Sequence, residues 1–235
     1  MSTTEVHVQP WTREQMAQRA ARDLEEGWFV NLGIGLPTLI ANCVPLDQEI
    51  IFHAENGVIG VGPMPLPENV EPWLINAGKQ YATLRTGGCF VHHADSFAMI
   101  RGGHLDLCVL GAYDVSARGD IANWALSKDD TAPAVGGAMD LAVGAKRLWV
   151  LMQHLNKKGE ARLVDECRFP LTASQAVDRV YTDLAVVDVR GTHFHVVDMA
   201  PGVTKDYLVA RTKADLTFEG HGERQRGNYE NTGRQ

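Results

Sequence analysis

Apolar positions along the chain follow helical spacing first and strand-like runs afterwards. Met16, Ala20 and Leu24 recur every four residues, the spacing that stacks side chains on one helical face. Thr12 precedes them and Gln15 stands three residues on, which predicts a capping box in which each satisfies a backbone N–H of the other. Gly27 is placed to end that helix. Residues 28–32 then read as a buried strand, followed by Gly33-Ile34-Gly35 and by Pro37 at a first helical position. Strand, glycine turn and helix make a first βα unit.

The same punctuation recurs downstream. Residues 50–54 form an apolar, strand-like run that stops at Glu55 and a glycine-rich bend. Asp95 is placed to cap a short helix through Met99 that ends at Gly102-Gly103. Residues 105–110 read as a strand, and Arg118-Gly119-Asp120 as a turn leading into 121–124. Gly136-Gly137 precede a short helical segment, and 147–152 is another buried strand. Residues 184–189 and 194–197, around Arg190-Gly191, predict a hairpin, and Thr204 caps a final helix. Strands alternating with helices predict an α/β fold with an open, mostly parallel sheet flanked by helices and some antiparallel additions. There is no internal repeat.

Composition narrows the class. With 45% apolar residues in 235, the chain can bury a sizeable core. Residues 1–217 are expected to form a single domain. From Glu219 onward the composition turns to Gly, Glu, Arg, Asn and Gln, so 218–235 is expected to be a disordered polar tail. A formal charge of −7 without a dense basic run argues against nucleic acid or an anionic membrane as partner. No signal-peptide core or bilayer-length apolar stretch is visible, so the cytoplasm is the expected location. Cys43, Cys89, Cys108 and Cys167 lack Cys-x-x-Cys spacing and read as small buried hydrophobes. Gly33-x-Gly35 invites a dinucleotide reading, but Thr38 stands where the third glycine belongs.

Glu55 is the most informative side chain. A strand that ends in one carboxylate, followed by backbone able to approach a ligand closely, is how open α/β folds present chemistry. Taken alone, the same residue could simply cap the next turn.

The surrounding residues carry a resemblance. Glu55-Asn56-Gly57-x-x-Gly60, with Ile-Phe-His-Ala before it, resembles the catalytic signature of family I coenzyme A transferases, as their B (beta) subunits carry it. Blocks at 30–38, 74–80, 92–97, 101–106 and 135–141 resemble the same family in the same order, over residues 16–208. Among its members the chain looks most like the B subunits of 3-oxoacid and 3-oxoadipate CoA-transferases. Ala54 stands where the family commonly has Ser.

That resemblance implies an α/β fold of CoA-transferase type, which sugar-phosphate isomerases share. It implies a reaction that moves CoA from an acyl-CoA, with succinyl-CoA as donor, to 3-oxoadipate or acetoacetate. Glu55 is then the nucleophile, loaded in turn as a mixed anhydride and as a glutamyl-CoA thioester. Its reference pKa of about 4.3 leaves it ionised at neutral pH, so no general base need prepare it. Backbone N–H groups of Gly136 and Gly137, at a helix start, are the candidate oxyanion donors, each worth roughly 3 kcal/mol; the alternative is that the pair is simply a close-packing turn. Gly57 and Gly60 are expected to let backbone crowd the carboxylate. Asn56 either orients that carboxylate or occupies a left-handed turn position. Family members place this site between two kinds of subunit, A-type and B-type. The chain is therefore expected to be inactive alone and to work with a CoA-transferase A subunit as an A2B2 heterotetramer. CoA would be a substrate, with no resident cofactor.

Other readings are weaker. His92 and His93 would point to opposite faces of a strand, and no carboxylate spacing completes a metal site with His53 or His104. Asp95-Ser96 near histidines hints at a hydrolase triad, but no Gly-x-Ser-x-Gly elbow is present. Lys79, Lys146 and Arg147 could meet CoA phosphates or be solvated charges. A CoA-thioester hydrolase and a non-catalytic ligand-binding module are the alternatives of the same fold.

Overall fold

The computed structural model describes residues 7–127 and 135–218. In chain order the elements are α1 (Arg13–Ala21), β1 (Phe29–Leu32), a 3-10 helix (Leu36–Asn42), β2 (Ile51–Ala54), β3 (Val58–Val61), β4 (Leu84–Phe90), α2 (His93–Arg101), β5 (Leu107–Leu110), β6 (Asp114–Ser116) and β7 (Ile121–Ala122). There follow α3 (Ala138–Gly144), β8 (Leu148–Leu151), β9 (Leu163–Val164), β10 (Arg179–Tyr181), β11 (Ala185–Val189), β12 (Phe194–Met199), α4 (Lys205–Val209) and β13 (Leu216–Phe218).

Ten of these strands form one open sheet, ordered β13-β12-β11-β10-β8-β5-β1-β2-β3-β4. Its centre, β10-β8-β5-β1-β2, is parallel throughout. The flanks turn antiparallel at β2-β3-β4 and at β10-β11-β12. β7-β6-β9 make a small second sheet beside it.

Both faces of the central strands are buried, as crossover helices require. Side chains alternate between two cores: Leu107, Val109, Trp149 and Leu151 join one cluster, while Cys108, Leu110, Leu148 and Val150 join the other. The first cluster is closed by Met16, Ala17 and Ala20 of α1 and by Ile40; the second by Ile100 of α2 and by Leu141 and Ala142 of α3.

Much of the local punctuation acts as its chemistry predicts. Thr12 and Gln15 form the capping box, and Thr204 Oγ1 accepts from Tyr207 N–H. Gly27 takes a left-handed φ of 79° but does not end α1, which stops at Ala21 with Arg22 as its cap, so Leu24 lies beyond the helix. The 184–197 hairpin forms, with Arg190 N–H donating to the His193 carbonyl. Other expectations are corrected as well. The helix opened by Pro37 is a seven-residue 3-10 helix. The α2 cap is His92, whose Nδ1 accepts from Ala94 N–H, while Asp95 merely lies in the first turn. His92 and His93 therefore begin a helix, where a polar side chain can satisfy an orphan N–H that a strand would have paired. Phe218, placed in the tail by composition, ends β13 beside β12; the rest of that expected tail lies outside the described residues.

Candidate active site

The chain leaves β1 to build β2 on one side and later returns with β5 on the other. Strand order reverses there, and the loops at the strand ends must part. The resulting cleft has a volume of about 500 Å³. Leu32, Gly33 and Ile34 of the β1 end, Glu55 of the β2 end and Leu110, Gly111 and Ala112 of the β5 end form its floor. Gly136 and Gly137, just before α3, and Leu141 within it close one wall; Asn123, Trp124 and Arg162 line the cleft as well.

Glu55 is half-buried, and among the described residues its carboxylate accepts no hydrogen bond. Burial raises its pKa above the ordinary carboxylate value; nearby His93 opposes the rise and the Asp140 carboxylate adds to it. The Gly137 backbone lies against it. A Cβ built on Gly137 would overlap Glu55 Oε2 and stand 2.9 Å from Phe97 Cζ, so only glycine lets this backbone meet the carboxylate.

α2 packs behind Gly137 and α3 without lining the cleft itself. His93, Phe97 and Arg101 follow at four-residue spacing on one helical face. The His93 and Phe97 rings lie 4.8 Å apart, and the Arg101 guanidinium sits 5.5 Å from the Phe97 ring centre. Arg101 grips Asp140 of α3 in a two-point pair of 2.8 and 3.2 Å, which holds the Asp140 carboxyl below its usual range. This pair ties α3 to α2 and so fixes Gly137 against Glu55.

Beneath the carboxylate runs a buried polar relay that the sequence pattern did not assemble. Asn31 on β1 and His53 on β2 are register partners. Asn31 Nδ2 donates to His53 Nδ1 at 2.9 Å and to the His53 carbonyl at 3.1 Å. Nδ1 is thus an acceptor, the ring proton lies on Nε2, and Nε2 donates to Ser96 Oγ on α2 at 2.8 Å. Burial lowers the His53 pKa to about 4, so the ring is neutral at pH 7. Cys108 Sγ approaches Asn31 Oδ1 at 3.8 Å, and burial pushes its thiol far up. A polar residue interrupting each of two apolar strand runs was the signal available for Asn31 and His53.

The sequence candidates divide. Glu55, Gly136 and Gly137 meet in one cleft. Asn56, Gly57 and Gly60 do not line it. Asn56 Nδ2 donates to the Ile75 carbonyl at 2.9 Å, and its φ is not left-handed, so neither proposed role for it is seen. Gly57, at φ 104°, packs against the Val91 carbonyl, and Gly60 against Gly88 of β4; their missing side chains let β4 approach β3 and do not crowd the carboxylate.

Other candidates resolve as follows. Ser96 is fully buried against His53, with an amide where a triad would put a carboxylate. Lys146 pairs with Asp106 at 2.7 Å, and Arg147 stacks 4.8 Å from the Trp28 ring centre; both precede the strands, at the edge opposite Glu55. Cys108 alone among the four thiols is fully buried, whereas Cys89 is exposed on β4. Among the described residues no helix is long and apolar enough to cross a membrane, and no cluster of His, Cys, Asp or Glu could hold a metal.

The fold is an open, mostly parallel α/β sheet shared with a solved structure. It superposes on the apoenzyme of an Escherichia coli O157:H7 acyl-CoA transferase with a TM-score of 0.68 at 17% identity, over 93% of this chain and 43% of that one. The chain thus spans less than half the length of that larger protein. It belongs to the coenzyme A transferase family, whose model matches residues 13–211. Over 197 residues it is 54% identical to the B subunit of the 3-oxoadipate CoA-transferase of Pseudomonas putida, covering 84% of this chain and 92% of the relative. Over 209 residues it is 47% identical to the B subunit of the succinyl-CoA:3-ketoacid coenzyme A transferase of Helicobacter pylori, covering 89% and 99%.

Proposed function

We propose that this chain is the B subunit of a CoA-transferase that carries CoA from succinyl-CoA to a 3-oxoacid, with 3-oxoadipate as first candidate acceptor and acetoacetate as second. Glu55 is its covalent carrier. The observation that carries the reading is Glu55 itself, a half-buried carboxylate without a hydrogen-bonding partner among the described residues, pressed against the Gly137 backbone at the switch point of the sheet.

The carboxylate attacks the thioester carbonyl and expels CoA thiolate, leaving a mixed anhydride. The thiolate then attacks the Glu55 carbonyl and releases the donor acid, leaving a glutamyl thioester. The acceptor acid runs the two steps in reverse. Thioester is exchanged for thioester, so no outside energy source is needed. Burial favours the chemistry, because a carboxylate stripped of water is a stronger base and nucleophile. The oxyanion of each tetrahedral stage needs donors. The N–H groups of Gly136 and Gly137, at the start of α3 where a helix leaves its amides unpaired, are suited to the task.

Both relatives above are B subunits by name, which supports a partner of A type and an A2B2 assembly. The relatives at 52% and 54% identity are named for 3-oxoadipate, which supports that acceptor first. The test is transferase turnover of the chain alone, of the chain with its A-type partner, and of the same complex carrying Glu55→Ala. Turnover confined to the wild-type complex, with acceptor acyl-CoA formed and no net release of free thiol, agrees with the reading. Acceptor-independent thiol release points to a hydrolase, and full activity of Glu55→Ala removes the carrier.

A further inference from the structure

The cleft contains a cation that the glutamate chemistry leaves without a task. Arg162 lines the same cleft as Glu55. Its Nε is buried and has no hydrogen-bond partner among the described residues. The carboxylates that act on it electrically are engaged elsewhere. Asp114 accepts from Arg168 Nε at 3.0 Å and Nη2 at 2.7 Å, and Asp183 accepts from His154 N–H at 2.7 Å. The neighbouring polar side chains are saturated too. Asn123 donates to the Gly111 carbonyl at 3.1 Å and accepts from Thr172 Oγ1 at 2.6 Å, and Trp124 Nε1 donates to the Leu171 carbonyl at 3.1 Å. Arg162 is therefore the charged donor left over on this wall.

Arg162 is part-buried, and its buried Nε is a donor whose missing acceptor is costly. Arg85, the other arginine with unpartnered buried nitrogens, lies 5.9 Å from the Phe52 ring centre and donates to the Gln48 carbonyl; it does not line the cleft. Among the described residues, only Arg162 combines an unmet charge with a place in the cavity that holds the proposed nucleophile.

We propose that Arg162 binds the distal carboxylate of the acid substrates, so that a dicarboxylic acid lies across the cleft with one end on Arg162 and the other at Glu55. The assignment rests on the CoA-transferase reading and names the substrate class for it. Arg162 shares its part of the cleft with the segment following β5, while Glu55 follows β2. Those strand ends are two places apart in the sheet, a separation of about 10 Å at ordinary strand spacing. A dicarboxylic acid lying in this cleft can present one end to Glu55 and meet the guanidinium with the other through charged hydrogen bonds of about 2.8 Å. The planar guanidinium also matches a carboxylate in two-point fashion. A monocarboxylic acid of equal length would leave the charge unmet, which is how a buried polar group rejects a wrong substrate.

The test uses the complex of this chain with its A-type partner, acetoacetyl-CoA as a donor without a second carboxylate, and two acceptors, succinate and its methyl isostere butyrate. The wild-type complex is expected to prefer succinate. Arg162→Gln is expected to lower kcat/KM for succinate by about tenfold or more, mainly through KM, while butyrate changes less than about threefold. Arg162→Lys, which keeps the charge and loses the planar fork, recovers part of the loss. Equal losses for both acids, a loss that follows the KM of the acyl-CoA, or no loss overturns the assignment. Loading of Glu55 by acetoacetyl-CoA in Arg162→Gln separates the two ideas. If residue 55 loads normally and succinate is unaffected, the anchor fails while the nucleophile stands. If residue 55 does not load even in the wild type from succinyl-CoA, the functional reading fails first. Should Arg162→Gln not assemble, Arg162→Lys decides, and unchanged succinate kinetics in it count against the anchor.

Discussion

Gly137→Ala separates the chemistry of the cleft from the stability of the fold. Gly137 has φ −81°, a conformation open to any residue, so the substitution carries no backbone strain. The added methyl overlaps Glu55 Oε2 and stands 2.9 Å from Phe97 Cζ, 3.3 Å from Phe97 Cε1. Oε2 is the free end of a side chain with no hydrogen bond to lose among the described residues, so it can swing aside at little cost. Phe97 must yield by a few tenths of an ångström, and overpacking of that kind costs about 1 kcal/mol. The carboxylate, in contrast, leaves its place by about an ångström, and a misplacement of that size costs about a hundredfold in rate. The assays are kcat of the assembled complex and a denaturant or thermal melt of the same sample. Expected is a loss of about two orders of magnitude in kcat with a stability change near 1 kcal/mol. Near-normal kcat refutes the claim that this backbone positions Glu55. A collapse of stability refutes the claim that the site can yield locally.

Further expectations follow from the electrostatics. The attacking form of Glu55 is the carboxylate, and burial raises its pKa, so the transfer rate should fall as pH drops through that raised value; a rate flat down to the ordinary carboxylate range contradicts it. A raised folded pKa also means that the charged form burdens the fold above it and that stability is regained as pH falls through it. Glu55→Gln should therefore melt higher than wild type at pH 7, and a lower melt refutes the idea. His53 and His154 are both lowered to about 4 by burial. Stability from each is fully present above the unfolded value of about 6.5 and is lost as pH falls toward 4, up to about 3 kcal/mol apiece. Urea melts from pH 7 to 4 should show this decline, and His53→Leu should flatten part of it. That variant should also cost about 1–3 kcal/mol at pH 7, because Asn31 and Ser96 lose a buried partner; an unchanged melt excludes the relay.

Much of the frame was legible in the sequence because it is written locally. A capping box and a hairpin turn involve residues a few positions apart, and Thr12, Arg190-Gly191 and Thr204 act in the fold as their chemistry demands. The strand-end position of Glu55 was legible for the same reason. Features built by register were not. Asn31 meets His53 across a parallel pair, and His53 meets Ser96 through a helix that follows two further strands. Arg162 enters the cleft from a segment more than a hundred residues after Glu55. His92 shows the local limit: its imidazole and the Asp95 carboxylate both suit a cap, and docking of α2 through Ser96 and Ile100, both buried, selects the earlier start. Asn56 shows another, since its amide is claimed by a loop carbonyl nineteen positions away.

Direct chemical mapping of the loaded side chain tests the central claim. The assembled complex is incubated with acyl-CoA in the absence of acceptor, treated with hydroxylamine or borohydride, digested and read by mass spectrometry. The account predicts modification at residue 55, dependent on acyl-CoA and abolished when the acceptor acid is added first in excess. Modification at any other side chain, or normal turnover with residue 55 unmodified, contradicts it.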